Sequence, residues 1–336
     1  MTNEKLPAMR IIFHGDNAAS FSNGFAELAG SGAQVRILPD VLSAPAESQA
    51  YAEAEAIIGV KFDAGLPVPK GLKLFHVPGA GYDAVDLALL PAQASVCNCF
   101  GHEQAIAEYV MSALLARDIP LADADQKLRR GDWAYWAGSP DRVHGEIAGK
   151  TIGLLGFGHI GKAIARRAKA FEMQVHVANR SPVATSDLVD RAFTLDQMVA
   201  FCGSVDVVVV SVPLTGDTTG IVGAAELAAM KPDAVIVNVG RGPTIDEAAL
   251  FEALQARRIG GAIIDTWYQY PNPAEPTILP SKLAFHELSN VLMTPHMSGW
   301  TSGTIRRRQQ TMADNIKRCF SGTALINVVR EGRSIA

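Results

Sequence analysis

The most constraining stretch of this chain is Thr-Ile-Gly-Leu-Leu-Gly-Phe-Gly-His-Ile-Gly at positions 151–161, where G-x-G-x-x-G follows directly on an apolar, strand-like run. Glycine-rich turns are common, so context decides what such a motif means. Here Ile164, Ala165, Ala168 and Phe171 follow at helical spacing, and a second strand-like run ends near Ala178. Strand, glycine turn, helix and strand in register form a βαβ unit whose turn fits a pyrophosphate. Gly156 makes the tight turn, Gly158 lets the backbone approach the anion, and Gly161 lets the helix lie close to the strand. The backbone N–H groups of His159 and Ile160, at the helix start, face the same anion. The pattern predicts a dinucleotide site.

The end of the second strand bears on which dinucleotide. A carboxylate there hydrogen-bonds the ribose 2′-hydroxyl of NAD. This chain has Asn179, Arg180 and Ser181 instead. Nothing there repels a 2′-phosphate, Arg180 is able to pair with one, and Asn179 and Ser181 are able to donate to it. NADP is the expected cofactor. The alternative is that Arg180 stacks on the adenine of NAD.

Apolar runs alternate with helix-like stretches along the whole sequence, which predicts an α/β fold with parallel sheets. Strands are expected near 10–13, 34–38, 56–60, 72–77 and 95–98, then at 151–155, 174–178, 205–212, 234–239, 261–266 and 290–294. A helix over 102–117 links the two groups, and a last helix over 301–320 returns to the first. At 336 residues and 48% hydrophobic, the chain is long and apolar enough for two cores. The polar stretch 123–149 carries Trp133, Tyr135 and Trp136 without a strand period. It reads either as an arm packing on a neighbouring subunit, giving a homodimer, or as a loop anchored by its tryptophans.

Several classes are disfavoured. A net charge of -4 supplies no field for nucleic acid, and the Arg306–Arg307–Arg308 cluster falls in a helix, where a solvated face is the expectation. The four cysteines are too few and scattered for a disulfide framework, and the Cys97-x-Cys99 spacing matches no metal motif. No secretory leader and no apolar run near the bilayer-spanning length of about 20 residues is legible, so a cytoplasmic protein is expected.

Further motifs give the chain a family likeness from about His76 onward. Gly79-Ala80-Gly81-Tyr82-Asp83, Gly101 to Glu108, Pro213-Leu214-Thr215, Asn238-Val239-Gly240-Arg241-Gly242 and Thr294-Pro295-His296 together resemble the D-isomer-specific 2-hydroxyacid dehydrogenases. The resemblance implies a hydride transfer between a nicotinamide cofactor and a small 2-hydroxy or 2-keto acid. It implies a doubly wound dinucleotide-binding domain, 104–296, inserted into a flavodoxin-like substrate domain, 1–103 with 297–336. It assigns the backbone of Ala80 and Gly81 and the Arg241 guanidinium to the substrate, with His296 exchanging the proton. Val212, Pro213, Val239, Gly240, Arg241, Asp265, His296 and Gly299 join the glycine loop around the cofactor, with Asp265 near the nicotinamide carboxamide. The chemistry agrees. A guanidinium holds carboxylate and carbonyl oxygens in two hydrogen bonds, and an imidazole with an ordinary pKa of about 6.5 moves protons near neutrality.

The family pairs its histidine with a glutamate, and this chain does not. The corresponding position falls on Tyr270, within Asp265-Thr266-Trp267-Tyr268-Gln269-Tyr270. Three explanations stand open: Tyr270 orients His296 through its hydroxyl, Glu275 or Glu287 reaches in, or proton transfer is less demanding. Formate dehydrogenases of the same superfamily also lack the carboxylate, and other relatives act as cofactor-sensing corepressors, so both remain rival readings. Trp267, Tyr268, Tyr270 and Trp300 are either aromatic pocket walls or core packing.

Overall fold

The structure, a computed structural model, describes residues 9–138, 140–272 and 275–333. The chain separates into two units, Met1–Gly101 with Thr301–Ala336, and His102–Trp300. The second unit is therefore an insertion into the first.

The first unit opens with β1 (Met9–His14), β2 (Ala33–Leu38), β3 (Ala56–Gly59), β4 (Leu74–His76) and β5 (Ser95–Cys97). The second holds β6 (Thr151–Leu155), β7 (Gln174–Ala178), β8 (Arg191–Phe193), β9 (Val207–Val210), β10 (Val235–Asn238), β11 (Gly261–Ile264) and β12 (Val291–Met293), and β13 (Val328–Arg330) returns to the first. In the first sheet the order is β13-β5-β4-β3-β1-β2, the flavodoxin arrangement with one antiparallel edge strand added. In the second it is β12-β11-β10-β9-β6-β7-β8, parallel throughout. The order reverses between β6 and β9, and ligands of such sheets bind outside the carboxyl ends at that reversal.

The inner strands are apolar without alternation because both faces are covered. β3, β6, β9, β10 and β11 are buried at every position. The helix His159–Ala170 shows the complementary pattern, burying Ala163, Ile164, Ala165 and Ala168 against the sheet. The last helix, Ser302–Ser321, starts at Thr301, whose hydroxyl accepts the Thr304 amide, and stops at Gly322 with φ 68°. It buries Met312, Ala313 and Ile316 with β1, β3 and β4. Asn315 of this helix is fully buried, donating to His76 Nε2 at 2.9 Å and holding both the amide and the carbonyl of Ile326.

Three elements were not foreseen. β8 (Arg-Ala-Phe) and β13 (Val-Val-Arg) are short edge strands that each carry an arginine and do not sit within an apolar run. The helix Leu121–Leu128 buries no residue and is held by the i,i+4 pairs Asp123–Lys127 and Asp125–Arg129. Beyond it Trp133 and Trp136 are 65% and 63% exposed, so they do not anchor this segment to their own chain. Among the described residues, no helix is long and apolar enough to cross a membrane, and no cluster of His, Cys, Asp and Glu is arranged to hold a metal.

Candidate active site

The glycine loop sits at the carboxyl end of β6. Gly156 has φ +95°, a conformation strained for any side chain. A Cβ on Gly161 would stand 2.3 Å from the carbonyl oxygen of Gly156, so only glycine lets the helix start this close to the strand. A Cβ on Gly158 would meet nothing within 4 Å, leaving its backbone open to approach. The residues thus fit a dinucleotide pyrophosphate in the manner expected of them. Asn179 turns its side chain inward: its oxygen accepts the Phe157 amide at 3.2 Å and its nitrogen donates to the Ser181 carbonyl at 2.9 Å. It braces the loop, while Arg180 and Ser181 are exposed at the end of β7.

Neighbouring strand ends continue the site. Val212, after β9, lies against the position a Gly156 Cβ would take, and a Cβ on Gly240, after β10, would stand 2.8 Å from the Val212 carbonyl oxygen. Arg241 follows, half-buried, with its carbonyl clamped by Asn238 Nδ2 at 3.1 Å and Thr244 Oγ1 at 2.6 Å. One guanidinium nitrogen donates to the Gly240 carbonyl at 2.9 Å. Gly242 is required next, because a Cβ there would sit 2.2 Å from the carbonyl oxygen of Trp267. This contact presses the arginine loop onto the segment that carries Tyr270.

His296 stands at the end of β12 with its backbone in the left-handed region, φ 57°. For a residue with a side chain that conformation costs about 1–2 kcal/mol. The compensation is on both sides of it. Asp265, after β11 and fully buried, accepts Thr294 Oγ1 at 2.6 Å and the Met297 amide at 2.9 Å on one oxygen, and the Ser298 amide at 2.9 Å on the other. Hydrogen bonds to a charged group are worth about 1.5–3 kcal/mol each, so the three outweigh the strain. The carboxylate expected near the nicotinamide is thus engaged in building the histidine turn.

Tyr270 meets the histidine. Its hydroxyl lies 3.1 Å from His296 Nδ1 and accepts the Trp267 amide at 3.0 Å. Enclosure of this hydroxyl pushes the phenol above its ordinary pKa, opposed by the Trp267 N–H and the nearby Arg241 charge. Arg241, Tyr270 and His296 therefore gather at the ends of β10, β11 and β12. Of the three explanations for the missing glutamate, the geometry favours the first. Glu275 instead exchanges backbone hydrogen bonds with Asn272, and Glu287 lies 3.9 Å from His286.

The aromatic residues divide. Trp267 is buried and donates from Nε1 to the Thr294 carbonyl at 2.8 Å, and Tyr268 packs on the same core while donating to Ile245, so neither is a pocket wall. Tyr270 and Trp300 remain exposed. In the first unit, the loop after β4 has its carbonyls tied down, Gly79 by the Cys99 amide at 2.9 Å and Ala80 by Asn98 Nδ2 at 2.7 Å. Sequence reading missed the bracing roles of Asn238 and Thr244, whose only trace is polar residues adjoining apolar runs.

Residues 111–298 match the family model described as D-isomer specific 2-hydroxyacid dehydrogenase, NAD binding domain. The chain belongs to this family. Glycerate dehydrogenase of Methylorubrum extorquens is 34% identical over 259 residues, 75% of this chain and 77% of that protein. The 2-hydroxyacid dehydrogenase of Ketogulonicigenium vulgare Y25 superposes with a TM-score of 0.80 at 26% identity, covering 97% of this chain and 100% of that one. The NADPH-dependent glyoxylate/hydroxypyruvate reductase of Sinorhizobium meliloti, solved with NADP and malonate, gives 0.77 at 28% identity, covering 98% and 100%. As a D-2-hydroxyacid dehydrogenase, the protein is an oxidoreductase that uses a nicotinamide dinucleotide and acts on a CH–OH donor or the corresponding carbonyl.

Proposed function

We propose that this dehydrogenase works as a reductase of small 2-keto acids with a preference for NADPH. The observation that carries the reading is the convergence of Arg241 and the Tyr270–His296 pair at strand ends adjoining the glycine loop. A bound reduced nicotinamide supplies the hydride. Arg241 holds the substrate carboxylate and polarises its carbonyl, and the family likeness also gives the amides of Ala80 and Gly81 a part in substrate binding. His296 gives its proton to the carbonyl oxygen as the alcohol forms. The Tyr270 hydroxyl suits either form of the ring, donating to unprotonated Nδ1 and accepting from the protonated one.

The NADPH preference rests on Arg180 and Ser181, exposed where no carboxylate stands. The Sinorhizobium meliloti neighbour, described as NADPH-dependent, supports it. A panel of 2-keto acids assayed with NADPH and NADH in parallel tests the reading. Higher kcat/KM with NADPH is expected, and preference for NADH overturns the cofactor assignment. Arg241→Ala is expected to abolish turnover while sparing cofactor binding; retained turnover removes Arg241 from the site.

We further infer a homodimer formed through 121–143. Leu121, Leu128, Trp133, Trp136 and Val143 leave large apolar surfaces exposed there. Sedimentation of the Trp133→Ser, Trp136→Ser double variant is expected to show monomer. A wild-type chain that sediments as a monomer overturns this.

A further inference from the structure

We propose that Tyr109 is a positioning residue for the catalytic histidine, acting through Thr294 and Asp265. The inference rests on His296 being the proton donor, as proposed above.

Tyr109 lies in the helix Glu103–Asp118, and its hydroxyl is 2.7 Å from Thr294 Oγ1. The direction of this hydrogen bond follows from counting protons. Thr294 has one hydroxyl proton and gives it to Asp265 Oδ1 at 2.6 Å, so Tyr109 is the donor to Thr294. The chain of hydrogen bonds then runs in one sense, from Tyr109 to Thr294 to the carboxylate. That carboxylate also receives the amides of Met297 and Ser298, on the far side of His296. The histidine is bracketed at positions two before, one after and two after it, and between these ties its backbone is held at φ 57°.

The left-handed conformation gives the bracket its consequence. Pro295 disfavours a helical conformation at Thr294, and the chain bends at His296 in the left-handed region. Each tie therefore fixes the exit vector of the imidazole. Removing the Tyr109 hydroxyl leaves Thr294 free to rotate and to desert Asp265, loosening one side of the bracket. A phenol is protonated near neutrality, and burial pushes that of Tyr109 further up, to about 12, so the hydroxyl is there to donate. The ring stays in place without its oxygen, so a phenylalanine isolates the hydrogen bond from packing.

The test compares Tyr109→Phe, Thr294→Val and Thr294→Ser with wild type in steady-state reduction of a 2-keto acid that the wild type turns over. For Tyr109→Phe and Thr294→Val we expect kcat to fall about tenfold, as misplacement of a reacting group implies, and its solvent deuterium isotope effect to rise. NADPH affinity should stay near wild type with the chain still folded by circular dichroism, and Thr294→Ser should restore kcat. In cofactor-free protein the His296 amide resonance should move in the two impaired variants and not in the third. Unchanged kcat, isotope effect and His296 resonance in both impaired variants, with His296→Ala inactive, overturns the positioning role alone. Turnover surviving in His296→Ala overturns the proton-donor reading, and this inference with it.

Discussion

Replacing Tyr270 by glutamate restores the carboxylate that relatives place beside the histidine, and its effect follows from the geometry. The present hydroxyl is 3.1 Å from His296 Nδ1. A carboxylate there lies about 4 Å from the ring charge, an attraction of roughly 4 kcal/mol at an effective dielectric of about 20 and roughly 1 kcal/mol in bulk water. Tyr270 is 44% exposed, which places the site between those limits. Arg241 competes for the same carboxylate and holds the gain to the lower half, about 1.5–2.5 kcal/mol. At about 1.36 kcal/mol per pH unit, the histidine pKa rises by about 1–2 units. Reduction requires the protonated ring, so kcat/KM falls as pH rises through the histidine pKa. The alkaline limb of the Tyr270→Glu profile should therefore move up by about 1–2 pH units. Tyr270→Gln, without charge, should leave the limb in place, and Tyr270→Phe should lower the plateau without moving it. A Tyr270→Glu profile that superimposes on wild type refutes the contact as a determinant of proton transfer.

Three further outcomes follow from separate parts of the molecule. Gly161→Ala forces a Cβ to 2.3 Å from the Gly156 carbonyl oxygen, and NADPH affinity measured by calorimetry should drop at least about tenfold while the circular dichroism spectrum is kept; wild-type affinity refutes the packing role. Arg180→Asp should cut kcat/KM with NADPH by about 10–100-fold, the worth of a lost charged hydrogen bond at about 1.4 kcal/mol per decade, and spare NADH; equal loss with both cofactors refutes the 2′-phosphate assignment. Burial pushes His76 down to about 4, and Asn315 donates to its Nε2 while its Nδ1 faces the Val77 carbonyl at 3.1 Å. Its folded pKa is below its unfolded value of about 6.5, so the unfolded chain binds more protons between the two. The His76 contribution is complete above about pH 6.5 and is lost as pH falls toward about 4, by roughly 3 kcal/mol at most. A His76 ring resonance that titrates near its ordinary value refutes this.

The parts of the fold that could be read in the sequence are those whose physics is local. The glycine loop declares itself because Gly156 and Gly161 answer backbone constraints that no other residue meets. The inner strands do so because a sheet covered on both faces needs unbroken apolar runs, as in Val207–Val210. β8 and β13 gave no signal, since these short edge strands each carry an arginine and are not set in an apolar run as the equally short β4 and β12 are. The helix Leu121–Leu128 was hidden because its pairs are charged and it buries nothing. Arg241, Tyr270 and His296 were legible as motif positions and their meeting as one of three open explanations, which only the register of β10, β11 and β12 decides between. Asp265 was read at the right strand end, but its hydrogen-bond partners, about thirty residues on, lie across a strand pairing that spacing alone does not reveal.

These partners explain how a histidine site works without the glutamate. A carboxylate beside an imidazole does two things at once, fixing the ring and raising its pKa. In this chain the two are separable. Orientation comes from the backbone, through the left-handed turn that Asp265 ties on both sides of His296. The Tyr270 hydroxyl then meets Nδ1 of the ring without adding charge. A site built this way keeps the geometry of proton transfer with a neutral hydroxyl, not a carboxylate, at position 270. It follows that Asp265→Asn and Tyr270→Glu should act on different observables, the first on kcat across all pH and the second on the position of the alkaline limb. The Asp265 charge reaches the Tyr270 site and both groups act on His296, so the double variant should show a coupling energy, not a simple sum.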